Sequence, residues 1–137
     1  MTRKRLFVLN AVIAAGYGIV LLVVTGPILD VYGIAPNPEA VYMARWFGVG
    51  LFAMGLSTWL ARDAAESAGG LAVARAYGVA YGIGAVLALW GTLFGPFNAL
   101  GWIAVALNLS LACGFAWSQL AARQREAPGW GLARRGR

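Results

Sequence analysis

The chain has 137 residues, 61% of them hydrophobic and only 12% charged, with a formal net charge of +6. A soluble domain carries about twice that charged fraction and a disordered chain far less hydrophobicity, so neither describes it. The mean hydropathy of +0.71 and the 19 glycines predict instead an all-α integral membrane four-helix bundle, one domain over residues 1–137, whose small residues let helix backbones approach closely.

The first charge-free run covers residues 6–29. It exceeds the apolar core of a signal peptide, about 7–15 residues, and Pro27 stands where cleavage is disfavoured, so it is read as a retained span over residues 6–25 ended by Gly26-Pro27. An outer loop over residues 28–40 follows, with Pro38 suited to a helix start, where its missing N–H costs nothing. A second span is predicted over residues 41–60, then a short polar loop over residues 62–70. Residues 76–122 hold no Asp, Glu, Lys, Arg or His and are interrupted by Phe94-Gly95-Pro96-Phe97-Asn98. Two apolar segments joined by a tight turn read as a hairpin of spans over residues 71–93 and 97–120. Residues 121–137 form a basic tail, expected to be mobile and to lie against anionic head groups.

Ten of the eleven basic residues fall at the ends of this arrangement that carry the termini and the middle loop; Arg45 alone falls on the other side. The positive-inside rule then places both termini in the cytoplasm, in a cell inner membrane. The same placement argues against a nucleic-acid partner. Tyr42, Trp46, Trp90 and Trp102 gather near the outer interface and Trp59, Tyr77 and Trp117 near the inner one, as aromatic belts do. An echo links residues 15–19 (AGYGI) with 79–83 (VAYGI), and Gly-Pro follows each, at 26–27 and 95–96; parallel hairpin repeats would give it, and so would chance in a Gly/Ala-rich chain.

The residues for chemistry are few. There is no histidine and a single cysteine, Cys113, so no imidazole base, disulfide or cysteine-rich metal site is expected, and no cofactor is implied. The carboxylates lie in loops, which argues against an intramembrane proton relay. No catalytic constellation is present. Rows of small residues at four-residue spacing run along span three (Ala74, Gly78, Gly82 and Ala76, Ala80, Gly84, Ala88) and span four (Ala104, Asn108, Ala112, Ala116). Gly78, Gly82, Gly84 and Ala112 are assigned to helix packing, within the bundle or against a second copy or partner subunit.

Two features can carry a ligand. Arg45 opens span two, whose uncharged part covers only about 24 Å, short of the ~30 Å core. It either snorkels to head groups or pairs with Asp30 or Glu39 to close the outer loop. Tyr17, Tyr81 and Asn108 fall near the midplane, and each must turn inward for a partner. They are expected to share an interhelical contact or a small pocket for the polar head of an apolar ligand, a quinone or lipid.

Ala44-Arg45-Trp46-Phe47-Gly48, with Leu51, Gly55 and Trp59-Leu60-Ala61-Arg62, resembles the second helix of small bacterial four-helix membrane proteins of the DoxX-like group. The resemblance implies a four-helix fold and at most a link to membrane redox or quinone systems. The functional expectation is a non-enzymatic accessory or scaffolding subunit, or a homo-oligomer. The alternatives are a carrier of an apolar membrane ligand and a subunit of a membrane redox complex.

Overall fold

The computed structural model describes residues 2–126, and it is all-helical. Helix α1 (Arg3–Val23) starts behind Thr2, whose hydroxyl accepts from the Arg5 N–H. It breaks at Val24, and Gly26-Pro27 does not end it as expected. The chain restarts at once as α2 (Thr25–Val31), which takes Pro27 into its first turn, where a missing N–H has no intrahelical acceptor to disappoint. Gly33 then turns the chain at φ 82°, a conformation that side-chain-bearing residues avoid.

Helix α3 (Pro38–Leu60) begins as the sequence suggests, with Pro38 at its first position and the Asn37 side chain accepting from the Ala40 N–H at 2.8 Å. After a 3₁₀ turn at Arg62–Ala64, Ser67 caps α4 (Ala68–Leu93) by accepting from the Gly70 N–H at 3.1 Å. That cap draws Gly69 and Gly70 into the helix, three residues before the expected start. Helix α5 (Gly101–Glu126) starts later than expected. Residues 97–100 are held in the preceding turn, where Asn98 accepts from the Leu100 N–H at 2.9 Å. It also continues to Glu126, into the segment read as tail; residues 127–137 lie outside those described.

Helices α1, α3, α4 and α5 are each long and apolar enough to cross a membrane. They pack as two pairs, α1 with α3 and α4 with α5. The pairs join at both ends. At the basic end, which holds Arg3 and the 61–67 loop, Phe115 is fully buried between Phe7, Tyr77 and Tyr81, its ring stacked on Tyr81 with centroids 6.0 Å apart. At the opposite end Asn98 ties the two turns together. Its amide donates to the Val31 carbonyl at 2.8 Å, its N–H donates to the Tyr32 carbonyl at 3.0 Å, and Tyr32 leans on Phe97.

Candidate functional site

The buried polar atoms concentrate where α1, α3 and α4 meet. Asn10 and Thr58 are wholly buried and Tyr81 nearly so. Asn10 donates through Nδ2 to Thr58 Oγ1 at 3.1 Å, and its Oδ1 accepts from the Tyr81 hydroxyl at 2.5 Å. Thr58 bonds back to the Met54 and Gly55 carbonyls of its own helix. One turn along α4 towards the basic end, Tyr77 bonds Ser57 of α3. Three helices are thus pinned by side-chain bonds whose donors and acceptors are matched.

Arg3 closes the basic end. It is 5% exposed, and its guanidinium donates to the Ala65 carbonyl at 2.8 Å and the Ser118 carbonyl at 3.3 Å, with Glu66 at 3.3 Å. Among the described residues its Nε is the buried side-chain nitrogen left without a partner. Outside this clasp, Lys4 bonds Asp63 at 2.6 Å and Arg62 approaches Asp63 at 3.6 Å. The hydrogen bond from Lys4 and its positive charge hold the Asp63 carboxyl below the usual carboxylate range. Arg62 also stacks its guanidinium on the Trp59 ring at 4.3 Å and donates to the Trp59 carbonyl at 2.6 Å.

The residues expected to hold a ligand do not assemble. Tyr81 is drawn to Asn10, Tyr17 lies half-buried beside Tyr32, and Asn108 donates to the Ala104 carbonyl of its own helix at 2.8 Å. Among the described residues no hydrogen bond joins any two of the three. The reason is that each found a nearer partner. Asn10, itself held by Thr58, takes up Tyr81, and Gly84 leaves a seat for the Asn108 amide against α4. Arg45 lies two turns inside α3, makes no ion pair with Asp30 or Glu39 among the described residues, and donates to Thr25 Oγ1 at 3.4 Å.

The packing residues divide. Gly78 faces Phe115, Gly84 faces Asn108, and Ala112 packs on the aromatic core. Gly82 packs on no other helix of the chain, since a Cβ there would meet nothing within 4 Å, and of the contacts expected for it only one with a second copy or partner subunit is left. The closest helix seam of backbone on backbone lies elsewhere. A Cβ at Gly18 would fall 2.6 Å from the Phe52 backbone nitrogen and 2.7 Å from the Gly48 carbonyl, and one at Gly55 would strike the backbone of Ala15.

Asn10, Thr58, Ser57 and Arg3 escaped the sequence reading. Asn10 had a signal: it is the lone amide in the first charge-free run. Arg3 had none, since an orientation charge and a buried clasp look alike in sequence.

Two grooves are open to the outside. One, of about 200 Å³, lies between α1 and α3; Ala11, Ala15 and Gly55 form its floor, and Val12, Phe52, Leu56 and Trp59 its rims. The other, of about 320 Å³, lies between α1 and α5 beside Leu6, Cys113 and Trp117. Neither is lined by Tyr17, Tyr81, Asn108 or Arg45. Among the described residues no three His, Cys, Asp or Glu side chains gather as a metal would require. A Tyr–Asn–Thr chain can fix helices and orient an amide; it contains no acid, base or activated nucleophile that works near neutral pH. No protein-family model matches the chain, and no curated protein or solved structure is significantly similar to it.

Proposed function

We propose that the chain is a bacterial inner-membrane protein, a four-span bundle with both termini in the cytoplasm, that serves as a non-enzymatic accessory or scaffolding subunit or as a homo-oligomer. The observation that carries this reading is the contrast between inside and outside. Asn10, Thr58, Tyr81, Thr92, Asn108 and Ser110 are consumed in helix-to-helix or helix-to-own-backbone bonds, while large apolar side chains point outward. Val23, Leu60, Val86 and Leu87 are each at least 65% exposed. An apolar exterior around a hydrogen-bonded interior suits hydrocarbon as the solvent.

The ends fit the same placement. Trp59 and Trp117 are exposed towards the basic end and Tyr42, Trp46, Trp90 and Trp102 towards the other, as two interface belts would be; Tyr77 is the exception, turned inward to Ser57. The DoxX-like resemblance supports four membrane helices and names no reaction.

Helix α3 favours assembly. Its buried residues are Gly48, Gly55 and Thr58, and Gly48 and Gly55 pack against α1, so most of its apolar surface is free for lipid or another helix. Gentle solubilisation from native membranes, followed by purification of the tagged chain, tests the reading. A stoichiometric partner or a homo-oligomer is expected. A lone monomer that copurifies with a quinone would support the carrier instead. Reporter fusions after Asn37 and at the C-terminus should report opposite sides; a periplasmic C-terminus would overturn the orientation.

A further inference from the structure

We propose that the α1/α3 groove holds one anionic phospholipid, its acyl chain along the floor made by Ala11, Ala15 and Gly55 and its phosphate at Arg62 and Lys4. The groove exists because glycine and alanine bring the two backbones together without filling the valley beside them. Its walls are wholly apolar, so an acyl chain matches them and a polar solute does not. What names the occupant is the charge at one end.

Trp59 forms the last rim, and Arg62 lies stacked on that same ring. Arg62 touches Asp63, and Asp63 holds Lys4. Lys4 stands seven residues before Ala11 of the groove floor, two turns away and offset by only about 20°, and Val12 is the opposite rim of the groove. Two cations with one carboxylate between them therefore sit at the mouth of an apolar trough, one reached along α1 and the other across Trp59. Among the described residues the other carboxylate at this end, Glu66, is taken by Arg3. The cluster keeps a net positive charge, and Arg62 keeps donors beyond the Trp59 carbonyl for a phosphate. A second copy of this chain would bring the same positive mouth against itself if it docked here by a two-fold axis. A lipid phosphate complements it.

The inference rests on the membrane placement proposed above, and its test fails separately from it. If that placement is wrong, the chain will not pellet with alkali-washed membranes. If only the lipid site is wrong, the chain will pellet but show no headgroup preference. The full chain in mild detergent is given equal phosphatidylglycerol and phosphatidylcholine and examined by native mass spectrometry. One phosphatidylglycerol should be retained in preference. Arg62→Gln should lower that preference about fivefold, the worth of one cation beside an anionic surface. Val12→Trp, a change at an exposed rim, should fill the trough and lower retention of both lipids. Phosphatidylglycerol held equally by wild type and both variants would overturn the site. So would a Val12→Trp chain that loses a dimer while keeping its lipid, since the groove would then seat a second copy. Should Val12→Trp fail to fold, the Arg62→Gln ratio alone decides.

Discussion

Glycine does opposite work in the two helix pairs. Between α1 and α3 it lets backbone touch backbone: Gly18 lies under Phe52 N and the Gly48 carbonyl, and Gly55 under Ala15. Between α4 and α5 it makes room for a partner's side chain: Phe115 at Gly78, Asn108 at Gly84, Phe97 at Gly91. The first seam is close and nearly featureless. The second is built from fitted shapes. The difference decides how each tolerates a methyl group, because a backbone cannot step aside and a side chain often can.

The comparison breaks most plainly at the first seam. Gly55→Ala and Gly18→Ala must each push α1 and α3 apart, undoing contacts along the whole pair. We expect a loss of about 3 kcal/mol or more, or no folded protein, by denaturant or thermal unfolding in detergent. Near-wild-type stability in either would show that the seam is loose.

The next effect lies where the two pairs are joined. Asn10→Leu removes the acceptor of the Tyr81 hydroxyl and the donor to Thr58 in one step. Thr58 keeps its backbone bonds, so the stranded group is Tyr81. The expected cost is about 1–3 kcal/mol. Tyr81→Phe should cost less, because it breaks one of the two bonds that Asn10→Leu breaks and keeps the ring stacked on Phe115. If Tyr81→Phe cost as much as Asn10→Leu, the bond and not the ring would be what holds the pairs together.

A third substitution sharpens the contrast within glycine itself. A Cβ at Gly84 would lie 2.5 Å from Asn108 Oδ1 and 3.2 Å from its Cγ, with no backbone atom in reach. The amide can rotate away at the expense of its bond to the Ala104 carbonyl. Gly84→Ala should therefore cost no more than about 1 kcal/mol, well below Gly55→Ala. Equal losses would erase the distinction between the two seams.

The sequence announced the four long helices because charge-free runs of span length are hard to read otherwise. Pro38 and the 94–98 turn were legible for the same reason: local chemistry decided them. The seams were not, because a four-residue row is the wrong ruler. At 3.6 residues per turn, each four-residue step rotates about 40° around the helix, and a seven-residue step only about 20° the other way. Single four-residue steps stay buried, as at Tyr81 and Ala85 or Leu111 and Phe115, but the longer alignments run in sevens: Ala11 and Gly18, Gly48 and Gly55, Ala74, Tyr81 and Ala88. Tyr17 and Tyr81 looked alike in the AGYGI/VAYGI echo, yet one neighbours Tyr32 and the other Asn10, since their helices face different partners. Similarity of five residues could not reveal which face of each helix was covered.

Gly82 is where that ruler failed, and it yields the smallest effect and the most discriminating one. From Ala74, fully buried, two four-residue steps carry the row about 80° off the seam, so Gly78 still touches Phe115 and Gly82 touches no neighbour. Inside this single chain Gly82→Ala gains helix propensity and loses no contact. It should be neutral or stabilising by up to about 1 kcal/mol. That expectation holds only if Gly82 faces lipid. Were Gly82 instead a contact between copies, as the assembly reading allows, the added methyl would weaken the oligomer while leaving the monomer's unfolding unchanged. Sedimentation of the variant in detergent, beside its thermal melt, separates these. A lighter species with an unshifted melt would locate the oligomer face on α4, and an unchanged mass would confine assembly to other surfaces, the bare side of α3 first among them.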